Sequence, residues 1–390
     1  MTQPTPPVRG FSPAEFEQRL ARAQAILQAH EFDALLLTTP QNIRYFTGFD
    51  TQFWESPTRP WFLLVPLEGA PVAVIPEIGR DGMAMTWVAD IRTWPAPVPE
   101  DDGRSLVAAA IAELPRRFGR IGAEIGREMA LRMPVTEFLA LRDAADREIA
   151  DGSPCMWEIR MVKTDSEINH IHHICQIASA AYAALPGLVS IGESEHEVAR
   201  KLRIEQARLG ADATPFLPVI SGPGGVSQIV CGPTARPLAD GDVMFIDTGA
   251  LYDGYFCDFD RVYAVGRISD AARHTHETLW QATEAGIAAA RPGAATDDVW
   301  AAMAKVMESD GPVGGNVGRL GHGLGMHLTE PPSHRPGDGT VIRENMVLTI
   351  EPGLEYAPGK MIVHEENIAI TPDGARLLTT RAPREMWGID

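Results

Sequence analysis

Asp247 and Asp258 lie in otherwise apolar runs, VMFIDTGAL and FCDFDR, joined through Asp253-Gly254, a dipeptide that favours a tight hairpin turn. Such a hairpin lays the two acids side by side across a pair of strands, facing one interior. Two carboxylates placed there repel unless a proton or a cation stands between them. Further along, His322 sits in the glycine-rich stretch Gly321-His322-Gly323-Leu324-Gly325, where backbone and ligand can approach closely. Glu351 ends an apolar run before Pro352-Gly353, and Glu365 falls within the strand-like MIVHEENIAI. Four carboxylates and one imidazole suit a pair of divalent ions such as Mn2+, Co2+, Fe2+ or Zn2+. The charges also balance, four carboxylates against two such ions. Taken singly, each acid reads as a solvated edge or cap and His322 as a loop histidine; the set and its order carry the inference.

These residues need elements to hold them. Ser12 precedes PAEFEQRLARAQAILQAH, in which Pro13 suits the first helical position and Phe16, Leu20, Ala23 and Leu27 recur at helical spacing. FDALLLT, NIRYFT, WFLLVPL and PVAVIP follow as short apolar runs that read as buried strands, so residues 10–155 are expected to form an α/β domain. A second domain, expected over 156–385, opens with Thr164 and Glu167 at capping-box spacing ahead of a long apolar-periodic helix. Another helix is expected at Ser194–Leu209 and more around 270–310. FLPVIS, VMFIDTGAL, FCDFDRVYAV, VLTIEPGLEY and MIVHEENIAIT read as strands. Strands in groups and helices in groups imply an α+β layer, helices packed on one face of a curved, mainly antiparallel sheet.

Composition narrows the partners. Over 390 residues, 34 Lys and Arg against 52 Asp and Glu give a net charge of −18, a field that repels phosphate backbones and acidic membrane surfaces. Nucleic acid and membrane partners are not expected. Cys155, Cys175, Cys231 and Cys257 are scattered without a Cys-x-x-Cys pair, which speaks against a zinc ribbon or a disulfide framework and for a reduced, cytoplasmic setting. The first ten residues, MTQPTPPVRG, carry no apolar stretch of a secretory signal, and no window is long and apolar enough for a spanning helix.

Asp247, Asp258, His322 within GHGLG, Glu351 within IEPGLEY and Glu365 within HEENIAIT resemble, in order and spacing, the dimetal site of the pita-bread metallopeptidases, the family of methionine aminopeptidase, aminopeptidase P, prolidase and the metal-free creatinase. MVKTDSEI resembles the start of that family's first catalytic helix and RPLADGDVMFIDTG its entry into the first metal strand. Asn42-Ile43-Arg44-Tyr45-Phe46-Thr47-Gly48-Phe49 is similar to the creatinase-type N-terminal domain of the aminopeptidase P and prolidase branch. The resemblance implies that Asp247 chelates one ion, Asp258 and Glu365 bridge both, and His322 with Glu351 completes the second. It also implies a hydroxide between the ions as nucleophile, a proton shuttle at Glu351, and a homodimer. The implied activity is cleavage of a small C–N bond, as in an Xaa-Pro dipeptide.

The chain departs from that pattern in three places. The family's histidine seven residues after the GHG histidine is replaced by Thr329, and the one 17 residues before the first metal acid is missing from Ser227-Gln228-Ile229-Val230-Cys231. Positioned acids contribute about 10²- to 10⁴-fold to such hydrolyses, so His327, His334 and His364 become the candidate replacements. His327 leads, two residues from Thr329 and on the same face if that stretch is an extended strand. Asp260 stands where the family usually has Thr or Ser, either to orient a ligand or to pair with Arg261. In the N-terminal half, the aromatic segment Thr51–Glu55 suggests Trp54 as a substrate contact from a lid, whereas Trp61 beside FLLVP reads as core. With Thr329 and His334, Trp54 completes the expected substrate-binding set. Two rival readings stand beside the peptidase: an enzyme acting on a small amide, amidine or zwitterionic metabolite, and a non-catalytic binding protein.

Overall fold

A computed structural model describes residues 5–56, 59–308 and 318–390. It divides into two compact units, one over Val8–Arg160 and one over Met161–Asp390 that also takes in the chain start as far as Pro7.

The first unit begins with α1 (Pro13–His30), whose first turn is closed by Ser12 accepting from the Glu15 N–H and by Pro13, which has no N–H to satisfy. Its strands are β1 (Ala34–Leu37), β2 (Phe62–Pro66), β3 (Val72–Pro76), β4 (Asp90–Trp94), β5 (Arg120–Ala123) and β6 (Glu148–Asp151). They form a mixed six-stranded sheet in the order β4-β3-β2-β1-β5-β6. Between them run α2 (Pro40–Thr47), α3 (Arg80–Ala84), α4 (Arg104–Glu113) and α5 (Val135–Ala144), and α6 (Ser153–Met161) reaches the boundary. Val107, Ile111 and Leu141 pack with Leu36, Leu64, Val74 and Ile121 in one core.

One expected strand is a helix. NIRYFT lies in α2, which starts at Pro40 and ends where Gly48 turns left-handed, its N–H donating to Arg44 O at 2.8 Å. A strand would have alternated its faces. Here Asn42 and Phe46, four apart, are both fully buried, and the Asn42 amide is tied to Glu124 at 2.5 Å.

The second unit holds α7 (Asp165–Ala184), with the capping box between Thr164 and Glu167 formed in both directions, and α8 (Glu195–Leu209), capped the same way by Ser194 and Glu197. After β7 (Ala213–Phe216) and β8 (Val219–Pro223) comes the long β9 (Asp242–Tyr252), then β10 (Tyr255–Phe256) and β11 (Phe259–Val265). Asp253 and Gly254 both have positive φ, as a tight hairpin turn of this hand requires. The helices expected around 270–310 are α9 (Asp270–Ala289) and α10 (Thr296–Met307), positions 309 and 310 lying outside the described residues. The chain continues through β12 (His322–Gly323), β13 (Glu330–Ser333), β14 (Val347–Ile350), β15 (Gly353–Ala357), β16 (Lys360–Val363), β17 (Glu366–Thr371), β18 (Gly374–Leu377) and β19 (Trp387–Ile389).

One sheet runs β10-β9-β11-β19 with β7 and β8 also on β9, another β13-β12-β14-β17-β18, and β15 pairs with β16. The pairings are antiparallel except β11 with β19. Leu279 and Ala282 of α9 and Val299 and Met303 of α10 share a core with Leu348, Ile350, Ile362 and Ile368. This is the α+β arrangement expected from the grouping of elements. VLTIEPGLEY and MIVHEENIAIT are each two strands rather than one, broken at Glu351-Pro352 and at His364-Glu365. Both breaks fall on candidate ligands, Glu351 and Glu365.

Candidate metal centre

Asp247 belongs to the middle of β9 and faces Asp260 across the β9–β11 ladder. The ladder keeps one register from the turn through β11, so Asp258 lies diagonal to Asp247 rather than opposite it. The Tyr182 hydroxyl of α7 lies 3.1 Å from the carbonyls of both Ile246 and Phe259, which fixes the two strands beside the acids.

Candidate ligand atoms of Asp258, His322 and Glu365 lie within 4.8 Å of one another, and all three residues are buried. The sequence also grouped Asp247 and Glu351 with them. These two act on the triad through charge: burial raises the carboxyl groups of Asp258 and Glu365, and repulsion from Asp247 and Glu351 raises them further. Burial, then repulsion from Glu351, lifts Asp247 to about 8 despite a hydrogen bond from the Thr248 backbone. Burial lifts Glu351 to about 7, against the pull of Arg319.

His322 is prepared as a neutral ligand. Burial, helped by the nearby Arg319 charge, lowers its pKa to about 3. Its Nδ1 lies 2.8 Å from Gly323 O, a contact that needs the proton on Nδ1 and leaves the Nε2 lone pair free. That Nε2 lies 3.4 Å from Asp258 Oδ2. Gly321 allows the approach: at φ +127° its position for a Cβ would fall 2.3 Å from Thr349 O. Thr349 in turn accepts from the His322 N–H at 3.0 Å.

Divalent ions fit this set. Asp247 Oδ1 and Glu365 Oε1 are buried with no hydrogen-bond partner, a costly state for a carboxylate that a cation relieves. The donors, carboxylate oxygens and one imidazole nitrogen, are those that hard and borderline ions take.

The other expected site residues scatter. Residues 325–329 form a bend rather than a strand, with Gly325 donating to His327 O and the His327 N–H donating to Glu330 Oε1 at 3.1 Å. The face-sharing argument for His327 and Thr329 therefore does not hold. His334 is fully buried behind Gly321, its Nδ1 3.4 Å from Thr296 O, and burial holds it down to about 4. That place suits packing rather than contact with substrate. His364 is likewise buried, between the Thr283 hydroxyl at 3.0 Å and Arg381 at 3.1 Å. Asp260 does not pair with Arg261, whose guanidinium reaches Glu366 at 3.0 Å. Trp54 lies in a 3₁₀ turn of the N-terminal unit, packed edge-on against Trp61 at 5.1 Å and Phe49 at 5.9 Å, and Trp61 is core as expected.

Three side chains that contact or neighbour the candidate site residues escaped the sequence reading. Arg319 donates to the Thr329 hydroxyl at 3.3 Å and to Ser333 at 3.4 Å, which brings a guanidinium to the place of the missing imidazole. Asn367 accepts from the Asp258 N–H at 3.0 Å and donates to the Asp258 carbonyl. Glu366 accepts from Arg261 and Arg381, each at 3.0 Å, and from the Ala382 N–H at 2.9 Å, anchoring the strand next to Glu365. Their signal was available in part: Arg319 is three residues from His322, and Glu366 and Asn367 are polar within an apolar run.

Comparison with known proteins supplies the context. Residues 169–372 match the metallopeptidase family M24 and residues 19–162 the creatinase/prolidase N-terminal domain. A probable dipeptidase PepE of Mycobacterium tuberculosis is 27% identical over 383 residues, 97% of this chain and 98% of that one. An Xaa-Pro dipeptidase of Pyrococcus furiosus is 31% identical over 230 residues, 59% of this chain and 66% of that one. Among solved structures, the dipeptidase PepE from Mycobacterium ulcerans matches with a TM-score of 0.83 at 27% identity, covering 97% of this chain and 99% of that one. The prolidase from Thermococcus sibiricus matches with a TM-score of 0.85 at 26% identity, covering 97% and 100%.

Proposed function

Since this chain belongs to metallopeptidase family M24, a family of metal-dependent hydrolases, we propose that it cleaves Xaa-Pro dipeptides with two divalent ions held by Asp247, Asp258, His322, Glu351 and Glu365. The observation that carries the reading is the convergence of Asp258, His322 and Glu365 on one buried point, with carboxylate oxygens beside it that lack any partner.

Bound there, two such ions supply Lewis acidity toward the scissile carbonyl and a nucleophile from water near neutral pH. The chain's own groups do the rest. Asp247 takes its place from the β9–β11 ladder, Asp258 is held by the Asn367 side chain, and His322 presents Nε2 because its Nδ1 proton is donated to Gly323 O. Glu351 is assigned the proton-shuttle role beside its place among the ligands. Arg319, steadied by Thr329 and Ser333, orients the anionic part of the substrate. An arginine keeps its proton, so protonation of the leaving amine is assigned to His327, on the same bend as Thr329.

The two rival readings are not favoured. Relatives along nearly the whole chain carry dipeptidase and Xaa-Pro dipeptidase names, and all five expected ligand residues are present in the sequence. The proposal extends to Mn2+, Co2+, Zn2+ or Fe2+ as the ions, to a homodimer as the assembly and to the cytoplasm as its setting. Among the described residues no helix is long and apolar enough to cross a membrane.

The test is turnover of an Xaa-Pro dipeptide panel by protein loaded separately with Mn2+, Co2+ and Zn2+, against the chelated protein. Metal-dependent cleavage is expected. Two bound ions without cleavage of any member of the panel would end the Xaa-Pro reading.

A further inference from the structure

The five ligand candidates leave one acid on their face unexplained. Asp260 is the ladder partner of Asp247, and residues paired directly across an antiparallel ladder present their side chains on one face. It is 2% exposed, and its Oδ2 has no hydrogen-bond partner. The neighbouring guanidinium of Arg261 is engaged elsewhere, with the carbonyls of Asp260, Glu365 and Thr380 and with the Glu366 carboxylate. A buried carboxylate oxygen with neither donor nor cation is among the costliest groups a fold can hold. A hydroxyl at this position, as in the resembling family, would carry a much smaller cost. The acid therefore has a use that a hydroxyl does not.

We propose that Asp260 is a further member of the cation-binding set, adding a fifth carboxylate to those of Asp247, Asp258, Glu351 and Glu365 and tightening the hold on divalent ions. The inference rests on the two-ion reading above. Four carboxylates balance the charge of two bound ions, and Asp260 adds one further negative charge. That favours hard ions taken by oxygen, Mn2+ above all, over ions that prefer nitrogen and sulfur.

Asp260→Asn keeps the shape and removes the charge, and Asp260→Thr installs the hydroxyl. The full-length parent and both variants are stripped with chelator, and Mn2+ binding is measured by titration calorimetry, with the Mn2+-induced rise in Tm as second readout. The parent is expected to take up two ions, and both variants to bind at least about tenfold more weakly with a smaller rise in Tm. Either folded variant binding Mn2+ as tightly as the parent overturns the role of Asp260 and leaves the two-ion reading intact. A parent that takes up no ion overturns both. Should Asp260→Asn fail to fold, Asp260→Thr decides.

Discussion

The side chain of Asn367 grips the main chain of Asp258 on both sides, its Oδ1 accepting from the Asp258 N–H at 3.0 Å and its Nδ2 donating to the Asp258 carbonyl. Asp258 precedes β11 and has no ladder of its own to fix it, so this clamp sets where its carboxylate points. Asn367→Ala leaves a buried N–H and C=O without these partners, a cost of about 1–3 kcal/mol each. It is expected to weaken divalent-ion binding by about 10- to 100-fold. Metal content after dialysis, read beside Tm, checks this; full metal retention by the folded variant would show that Asp258 needs no clamp.

Arg319 brings a positive charge into a pocket otherwise rich in acids, where it pulls down the carboxyl groups of Glu351 and Asp258. If its fork orients an anionic part of the substrate, Arg319→Ala should lower kcat/KM by about 100-fold or more, in the range found for loss of one preorganised donor. Arg319→Lys keeps the charge but not the fork and should fall between. Thr329→Val removes only the support at 3.3 Å and should cost less than Arg319→Ala. Steady-state kinetics on an accepted dipeptide decides; Arg319→Ala within twofold of the parent rules the role out.

Much of this was legible in the residues. The capping box at Thr164, the Asp253-Gly254 turn and the apolar runs of β9 and β11 are local signals, and local signals survive into the fold. NIRYFT misled because six residues are too few to separate periods of 2 and 3.6, and the burial of Asn42 on Glu124 depends on a partner 82 positions away. The five ligand candidates were legible as a set, whereas their supports were not. Asn367 reaches back 109 positions to Asp258, and such pairings have no expression in spacing. His327 failed the face argument because residues 325–329 bend instead of extending.

Metal removal should cost stability as well as activity. The pocket gathers buried acids whose mutual repulsion two cations relieve, and anything that binds only the folded state stabilises it by mass action. At free Mn2+ about 100 times the dissociation constant the gain is about 2.7 kcal/mol. Thermal melts of stripped and reloaded protein should therefore differ, and Asp258→Ala should abolish both the difference and turnover. Full activity of Asp258→Ala in metal-replete buffer would contradict the assigned ligand set.

A separate pH effect belongs to the N-terminal unit. Burial raises the Asp33 carboxyl, but the N–H groups of Phe118, Arg117 and Gly119, at 2.7, 3.0 and 2.9 Å, together with Arg147, outweigh it and hold the pKa below its ordinary value. A carboxyl lowered on folding contributes stability above its unfolded pKa and loses it as pH falls through the folded value. Three N–H groups aimed at one carboxylate also connect the segment before β5 to the start of β1, so the charge has a structural task. Asp33→Asn is expected to destabilise the protein by about 2 kcal/mol at pH 7, in the range of hydrogen bonds to charged groups. The gap to the parent should narrow as pH drops below about 4, where the parent's carboxylate also takes up its proton. Urea unfolding of parent and variant across that range measures it. A gap that stays constant with pH would mean that Asp33 acts through shape alone.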